Sequence, residues 1–174
     1  MPDVLYHGSA QRIDGPLTPV LRHGSEDHVH TRAAVFATER LDIASRFMIP
    51  PDSLSSFGFE RDIAYICIWG TPEEFARRDP GGYVYVLPGT AFKKIGKWYE
   101  WQSFEPVEPT ETKHYPSVIG GMIECGAQVY FIDDDPTFDD IVRDKENRAP
   151  ILAARISENA RQGKNVRPFG PKMA

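Results

Sequence analysis

Residues 5–9 read Leu-Tyr-His-Gly-Ser. An imidazole, a residue with no side chain and a hydroxyl follow two apolar residues, as at a strand end that turns into a loop or cradles a ligand. His7 can donate or accept at its ring nitrogens, and Gly8 leaves the main chain open to close approach. A second group lies in Lys-Trp-Tyr-Glu-Trp-Gln-Ser, residues 97–103. Glu100 stands there between aromatic residues. A carboxylate screened from water by rings is a candidate functional group, and an exposed glutamate on a half-buried edge strand fits the same pattern. On a strand, Trp98, Glu100 and Gln102 share one face, and Tyr99, Trp101 and Ser103 the other. Glu105 is the next acid along and competes for the same role.

Two further clusters carry ligand chemistry in principle. His23, His28 and His30 occupy one loop with Glu26 and Asp27 between them. Zinc needs three or four converging ligands, and no cysteine or further histidine completes a known spacing. The aspartates of residues 133–140 lack the spacing, central glycine and final glutamate of a calcium loop, and capping of a following helix accounts for them. No metal is expected at either place. Phosphate-loop, dinucleotide-fingerprint and nucleophile-elbow patterns do not occur.

The elements that must position these residues are short. Strands are expected at 4–8, 34–38, 64–70, 81–88, 97–107 and 128–133, each rich in β-branched or aromatic residues. Thr38 is expected to cap a helix over 39–48, whose apolar residues Leu41, Ile43, Ala44, Phe47 and Met48 mark one face. Thr71, Pro72 and Glu74 spell a capping box for a helix over 71–78. A short helix is expected over 117–127, ending at Gly126. Two more are expected beyond residue 136, separated near Pro150, with a loose tail from residue 165. The pattern is α+β: small, mainly antiparallel sheets packed as a split β-sandwich with short flanking helices. One domain over 1–136 is expected, with a C-terminal helical extension, 137–174, docked on it.

The 174 residues carry a formal charge of −5, which disfavours nucleic acid as the main partner. The basic stretch Lys93, Lys94 and Lys97 reads as a solvated loop. Cys67 and Cys125 both sit among apolar residues and are expected as buried free thiols of a reducing compartment. No apolar run spans a membrane, and the N-terminus shows no secretory pattern, so a cytoplasmic protein is expected.

Three segments occur in a telling order: Leu-Tyr-His-Gly-Ser, then Ala-Val-Phe-Ala-Thr-Glu-Arg-Leu-Asp-Ile-Ala-Ser-Arg-Phe, then Tyr-Glu-Trp-Gln-Ser. Together, over roughly residues 4–133, they resemble the ADP-ribosyltransferase fold family. The first resembles the Trp-His-Gly-Ser strand of poly(ADP-ribose) polymerases and the second their Tyr-Phe-Ala strand and following helix. The first segment with Pro-Leu-Thr-Pro, and Ser-Phe-Glu-Pro-Val, are similar to segments of small rifampicin ADP-ribosyltransferases. This sequence departs from the polymerase pattern at Val35 and Phe47, where tyrosines stand.

The resemblance implies NAD as substrate and no metal. It implies that Glu100 is catalytic, holding the nicotinamide ribose and stabilising an oxocarbenium-like state. His7 would bond the adenosine ribose, Gly8 would offer its backbone to the carboxamide, and Ser9 would support the ribose. Phe36 and Phe47 would stack on the nicotinamide, Ser45 would bond the carboxamide, and Thr38 belongs to the same NAD-binding set. The activity implied is mono-ADP-ribosyl transfer, a glycosyltransferase reaction, to a protein or small-molecule acceptor rather than nucleic acid. Hydrolysis of NAD, or binding of NAD, ADP-ribose or a protein without chemistry, are the alternatives.

Overall fold

The computed structural model describes residues 1–21, 32–51, 53, 55–60, 63–95, 99–132 and 166–169. The histidine loop 22–31, the aspartates of 133–140 and the expected C-terminal helices lie outside the described residues, and with them the boundary near residue 136.

Among the described residues, ten strands form two sheets. The larger takes the order β6(Lys93–Lys94), β7(Glu100–Ser103), β2(Val35–Thr38), β1(Val4–Ser9), β5(Gly82–Pro88), β8(Glu111–Tyr115), with every pairing antiparallel. The smaller takes the order β10(Val166–Phe169), β9(Gln128–Ile132), β4(Ile63–Trp69), β3(Ser55–Glu60). Its β4–β9 pair is parallel, which requires a long crossover. That crossover runs out through the larger sheet and returns by α3(Val118–Glu124). The class is α+β with mainly antiparallel sheets.

The main core lies between the sheets. Val84 and Tyr115 of the larger sheet, Ile66, Ile68, Val129 and Phe131 of the smaller, and Met48, Val118 and Met122 from the helical segments pack into one cluster. The outer face of the larger sheet carries a second cluster: Leu5, Val35, Ala37, Tyr85, Leu87 and Trp101, closed by Leu17, Phe92 and Val107. The larger sheet is thus apolar on both faces over its centre, which explains its apolar runs. Its two edges carry lysines, Lys93 and Lys94 on one side and Lys113 on the other, which oppose pairing with another chain.

The helices follow their local signals to different degrees. α2(Pro72–Arg78) has the full capping box: Thr71 Oγ1 accepts from the Glu74 amide at 3.1 Å, and Glu74 Oε2 from the Thr71 amide at 3.1 Å. α3 is capped by Ser117 and ends in a Schellman motif, with Ala127 N–H donating to Met122 C=O and Gly126 N–H to Ile123 C=O. Gly126 there has φ +91°, the left-handed conformation this motif needs. α1(Leu41–Ser45) departs from expectation. It is five residues long, continues as a 3-10 turn over Arg46–Met48, and starts after Arg40. Thr38 is not its cap. Thr38 ends β2, where it is held in register by β1 and β7, and its Oγ1 accepts from the Arg40 amide at 3.2 Å. Sheet pairing has displaced the helix start.

Two further expectations are corrected. The segment 165–174 is not uniformly a loose tail: Val166–Phe169 pairs with β9, and proline is tolerated on such an edge strand. Of the expected strand 97–107, the described residues 99–107 are regular only over β7, and Val107 instead bridges to Leu17. Among the described residues no helix is long and apolar enough to cross a membrane. Cys67 and Cys125 are free and buried.

Candidate functional site

The three segments singled out in the sequence meet at one cleft of about 460 Å³, a size suited to a small-molecule ligand. One wall is the inner face of the larger sheet. The register Tyr6↔Thr38↔Glu100 and Phe36↔Gln102 puts Tyr6, Phe36, Thr38 and Glu100 on one side of the sheet, although the first and the last are far apart in the chain. All four line the cleft. The opposite wall comes from α1 and the turn after it, through Ile43, Ala44, Arg46 and Phe47, and from β3, through Phe57 and Gly58.

β1 and β2 part at this point. Their ladder holds the single pair Tyr6↔Thr38, while β1 stays paired with β5 along its whole length. His7 occupies the opening. It sits opposite Tyr85, and its Nδ1 lies 2.7 Å from the carbonyl of Phe36. A carbonyl only accepts, so Nδ1 carries the proton, and in the neutral ring Nε2 is an acceptor. His7 thereby ties β1 to β2 where backbone pairing stops, and its ring lines the cleft.

Gly8 is explained by packing. A Cβ there would lie 1.9 Å from the Ala44 carbonyl oxygen and 3.2 Å from Phe47 Cβ. Only glycine lets α1 lie this close to β1. Its backbone does not line the cleft, because α1 covers it.

Glu100 is half-buried, and the structure places it, rather than Glu105, on the cleft. Glu105 lies past the strand, where its amide and carbonyl both bond the Ser103 hydroxyl, at 3.3 and 3.0 Å. Tyr99 lines the cleft beside Glu100, against the expectation from strand alternation that it would face away. β7 begins only at Glu100, so alternation does not extend to Tyr99. Trp101 and Ser103 do face away and are buried in the outer layer. Trp98 lies outside the described residues.

The remaining expected residues separate. Phe36 and Phe47 present ring surface to the cleft, the first buried and the second exposed. Ser45, the last residue of α1, is fully buried, and its hydroxyl donates to the Asp42 carbonyl at 2.8 Å. Ser9 closes a turn: its hydroxyl donates to the Gln11 carbonyl at 2.7 Å and accepts from the Gln11 amide at 3.1 Å. The structure brings neither serine to the cleft wall.

A charged pair supports the rim. Asp42 accepts from Arg40, from the Ile43 amide at 2.9 Å and from the Ala64 amide at 3.3 Å, which pins the start of α1 to β4. Arg40 lies 4.9 Å over the Tyr99 ring. The hydrogen bond with Asp42 is the largest cause holding the Arg40 guanidinium above its ordinary range. Sequence reasoning missed Tyr6, Arg46, Phe57 and Tyr99 as cleft residues. Tyr6, Arg46 and Tyr99 had a usable signal, their places next to His7, Phe47 and Glu100; Phe57 had none.

Among the described residues no cluster of three or more His, Cys, Asp or Glu could hold a metal ion; His23, His28 and His30 lie outside them. No family model, curated protein or solved structure matches this chain.

Proposed function

We propose that the cleft binds NAD and that the protein transfers ADP-ribose from it to an acceptor, a protein or a small molecule. The observation that carries the reading is the convergence of Glu100, Thr38, Phe36, His7 and Phe47 on one cleft from three distant segments, the same segments that resemble the ADP-ribosyltransferase family. The lining also suits the ligand. Aromatic rings offer π faces to a cationic nicotinamide ring, and a carboxylate stands on the same wall.

In this reading Phe36 and Phe47 hold the nicotinamide ring, and His7 and Thr38 supply hydrogen-bonding groups for ribose hydroxyls. Glu100 accepts a hydrogen bond from the nicotinamide ribose. As the bond from that ribose to nicotinamide breaks, with the electron pair leaving on nicotinamide, positive charge grows on the sugar. The fixed carboxylate stabilises that charge more than it stabilises the ground state, which is what lowers a barrier. The acceptor then attacks the same carbon and gives up its proton. Ser9 and Ser45 have no direct part: one builds the β1 turn, the other the interior of α1.

The test is nicotinamide release from NAD by the full chain, wild type beside Glu100→Gln and Glu105→Gln. The first change keeps size and removes charge, and the rate should fall about a hundredfold. The second alters a residue off the cleft and should not reproduce that fall. Release that needs no added acceptor would identify water as the acceptor. No release by wild type, even with cell extract supplied, refutes the enzymatic reading and leaves a binding module.

A further inference from the structure

The chemistry above leaves one cleft cation without a task. Arg46 follows α1 in the 3-10 turn, is half-buried, and lines the cleft. Its guanidinium carbon lies 4.0 Å from the centroid of the Phe57 ring and 5.1 Å from that of Phe47. Phe47 follows Arg46 in its own turn and Phe57 comes from the smaller sheet, so the group is packed against a second element. A guanidinium carries its N–H donors in one plane, as a fixed fork. That planar fork matches two oxygens of a phosphate. Held in this way, the side chain gives up less freedom on meeting an anion than a solvated arginine does.

The cleft thus carries both signs of charge: its carboxylate, Glu100, belongs to the larger sheet, and its guanidinium, Arg46, is packed against Phe57 of the smaller. A ligand that carries both a cationic ring and phosphate oxygens matches that pair of charges. We propose that Arg46 determines specificity by receiving phosphate oxygens of the bound ligand; that these are the diphosphate of NAD rests on the reading above. Arg46 selects phosphorylated over unphosphorylated nicotinamide ribosides.

The experiment compares NAD with nicotinamide riboside, which has no phosphate, on wild type, Arg46→Gln and Arg46→Lys. Melting temperatures are recorded for each variant. Wild type should prefer NAD in kcat/KM, and Arg46→Gln should erode that preference about tenfold or more, the worth of a charge-assisted hydrogen bond. Arg46→Lys, a point charge without the fork, should recover part of it. An equal loss on both substrates means that Arg46 only supports the fold, and an unchanged preference means that it meets no phosphate; either overturns the proposal. A titration with ADP-ribose separates this proposal from the enzymatic one. If no variant consumes NAD but ADP-ribose binds wild type more tightly than Arg46→Gln, the reaction is refuted and the phosphate role stands. If ADP-ribose binds both equally, or neither, the role of Arg46 is refuted whatever the turnover.

Discussion

Replacing Gly8 by alanine tests the contact on which the cleft depends. The added Cβ would lie 1.9 Å from the carbonyl oxygen of Ala44, where real Cβ contacts essentially never fall under 3.0 Å. The obstacle is helix backbone, so no side chain can swing aside, and α1 must retreat by about 1 Å. Ile43, Ala44 and Met48 are buried, and moving them opens the packing behind them. Overpacking a tight contact costs about 1–3 kcal/mol and sometimes more, and a backbone obstacle belongs at the upper end. For a chain of this size 3 kcal/mol lowers Tm by roughly 6–12 °C. The same retreat moves Arg46 and Phe47, and a misplacement of about 1 Å can cost a hundredfold in rate. Urea and thermal unfolding of wild type and Gly8→Ala measure the first effect, with Gly120→Ala as control. Gly120 is exposed, and the nearest atom to its added Cβ is 3.5 Å away, so alanine there should stabilise α3 by about 0.5–1 kcal/mol. If Gly8→Ala unfolds with wild type but loses ligand binding, the glycine serves the ligand's approach to the backbone, and the packing account is wrong.

Two further outcomes follow from the scaffold. Asp79 accepts from the Val118 amide at 2.9 and 3.0 Å, from the Ser117 hydroxyl at 3.0 Å and from the Gly81 amide at 2.9 Å. Asp79→Ala orphans these donors at the start of α3 and should cost about 2 kcal/mol, or roughly 4–8 °C in Tm; an unshifted melt would contradict this. Burial pushes the Cys67 thiol from an ordinary value of 9.0 up to about 12, and it is the thiolate that attacks thiol reagents. Cys67 should stay unlabelled at pH 8 until the protein is denatured, whereas prompt native labelling would show that it is not enclosed. Because the folded state holds this proton more tightly than the unfolded chain, its contribution to stability is full below about pH 9. It is lost as pH rises from there towards 12.

How far the residues alone disclosed the molecule depended on the range of the interaction. The α2 capping box was legible because every partner lies within one helical turn. β1, β2, β4, β5 and β9 were legible because buried strands need apolar and β-branched residues whatever they pair with. β8 was not: four of its five residues are exposed, and only pairing with β5 makes Glu-Thr-Lys-His-Tyr a strand. β10 escaped for the same reason, since an edge strand borrows its conformation from its neighbour. The start of α1 was misplaced because Thr38 reads locally as a cap and is claimed by two neighbouring strands.

The candidate site divides in the same way. The types and order of His7, Phe36, Phe47 and Glu100 are properties of the chain, and they were enough to expect one site. Which carboxylate faces it was decided by the register of β7 on β2, since strand alternation turns Glu100 inward while Glu105 falls beyond the last pair. That Gly8 serves the helix, that Ser9 and Ser45 are turned away, and that Arg46 reaches the cleft against Phe57 followed from how α1 and β3 pack on the larger sheet. Local sequence determines which groups a strand or turn can offer. Only the packing of sheets that are distant in the chain determines which of those groups meet, because that choice is made by contacts no short stretch contains.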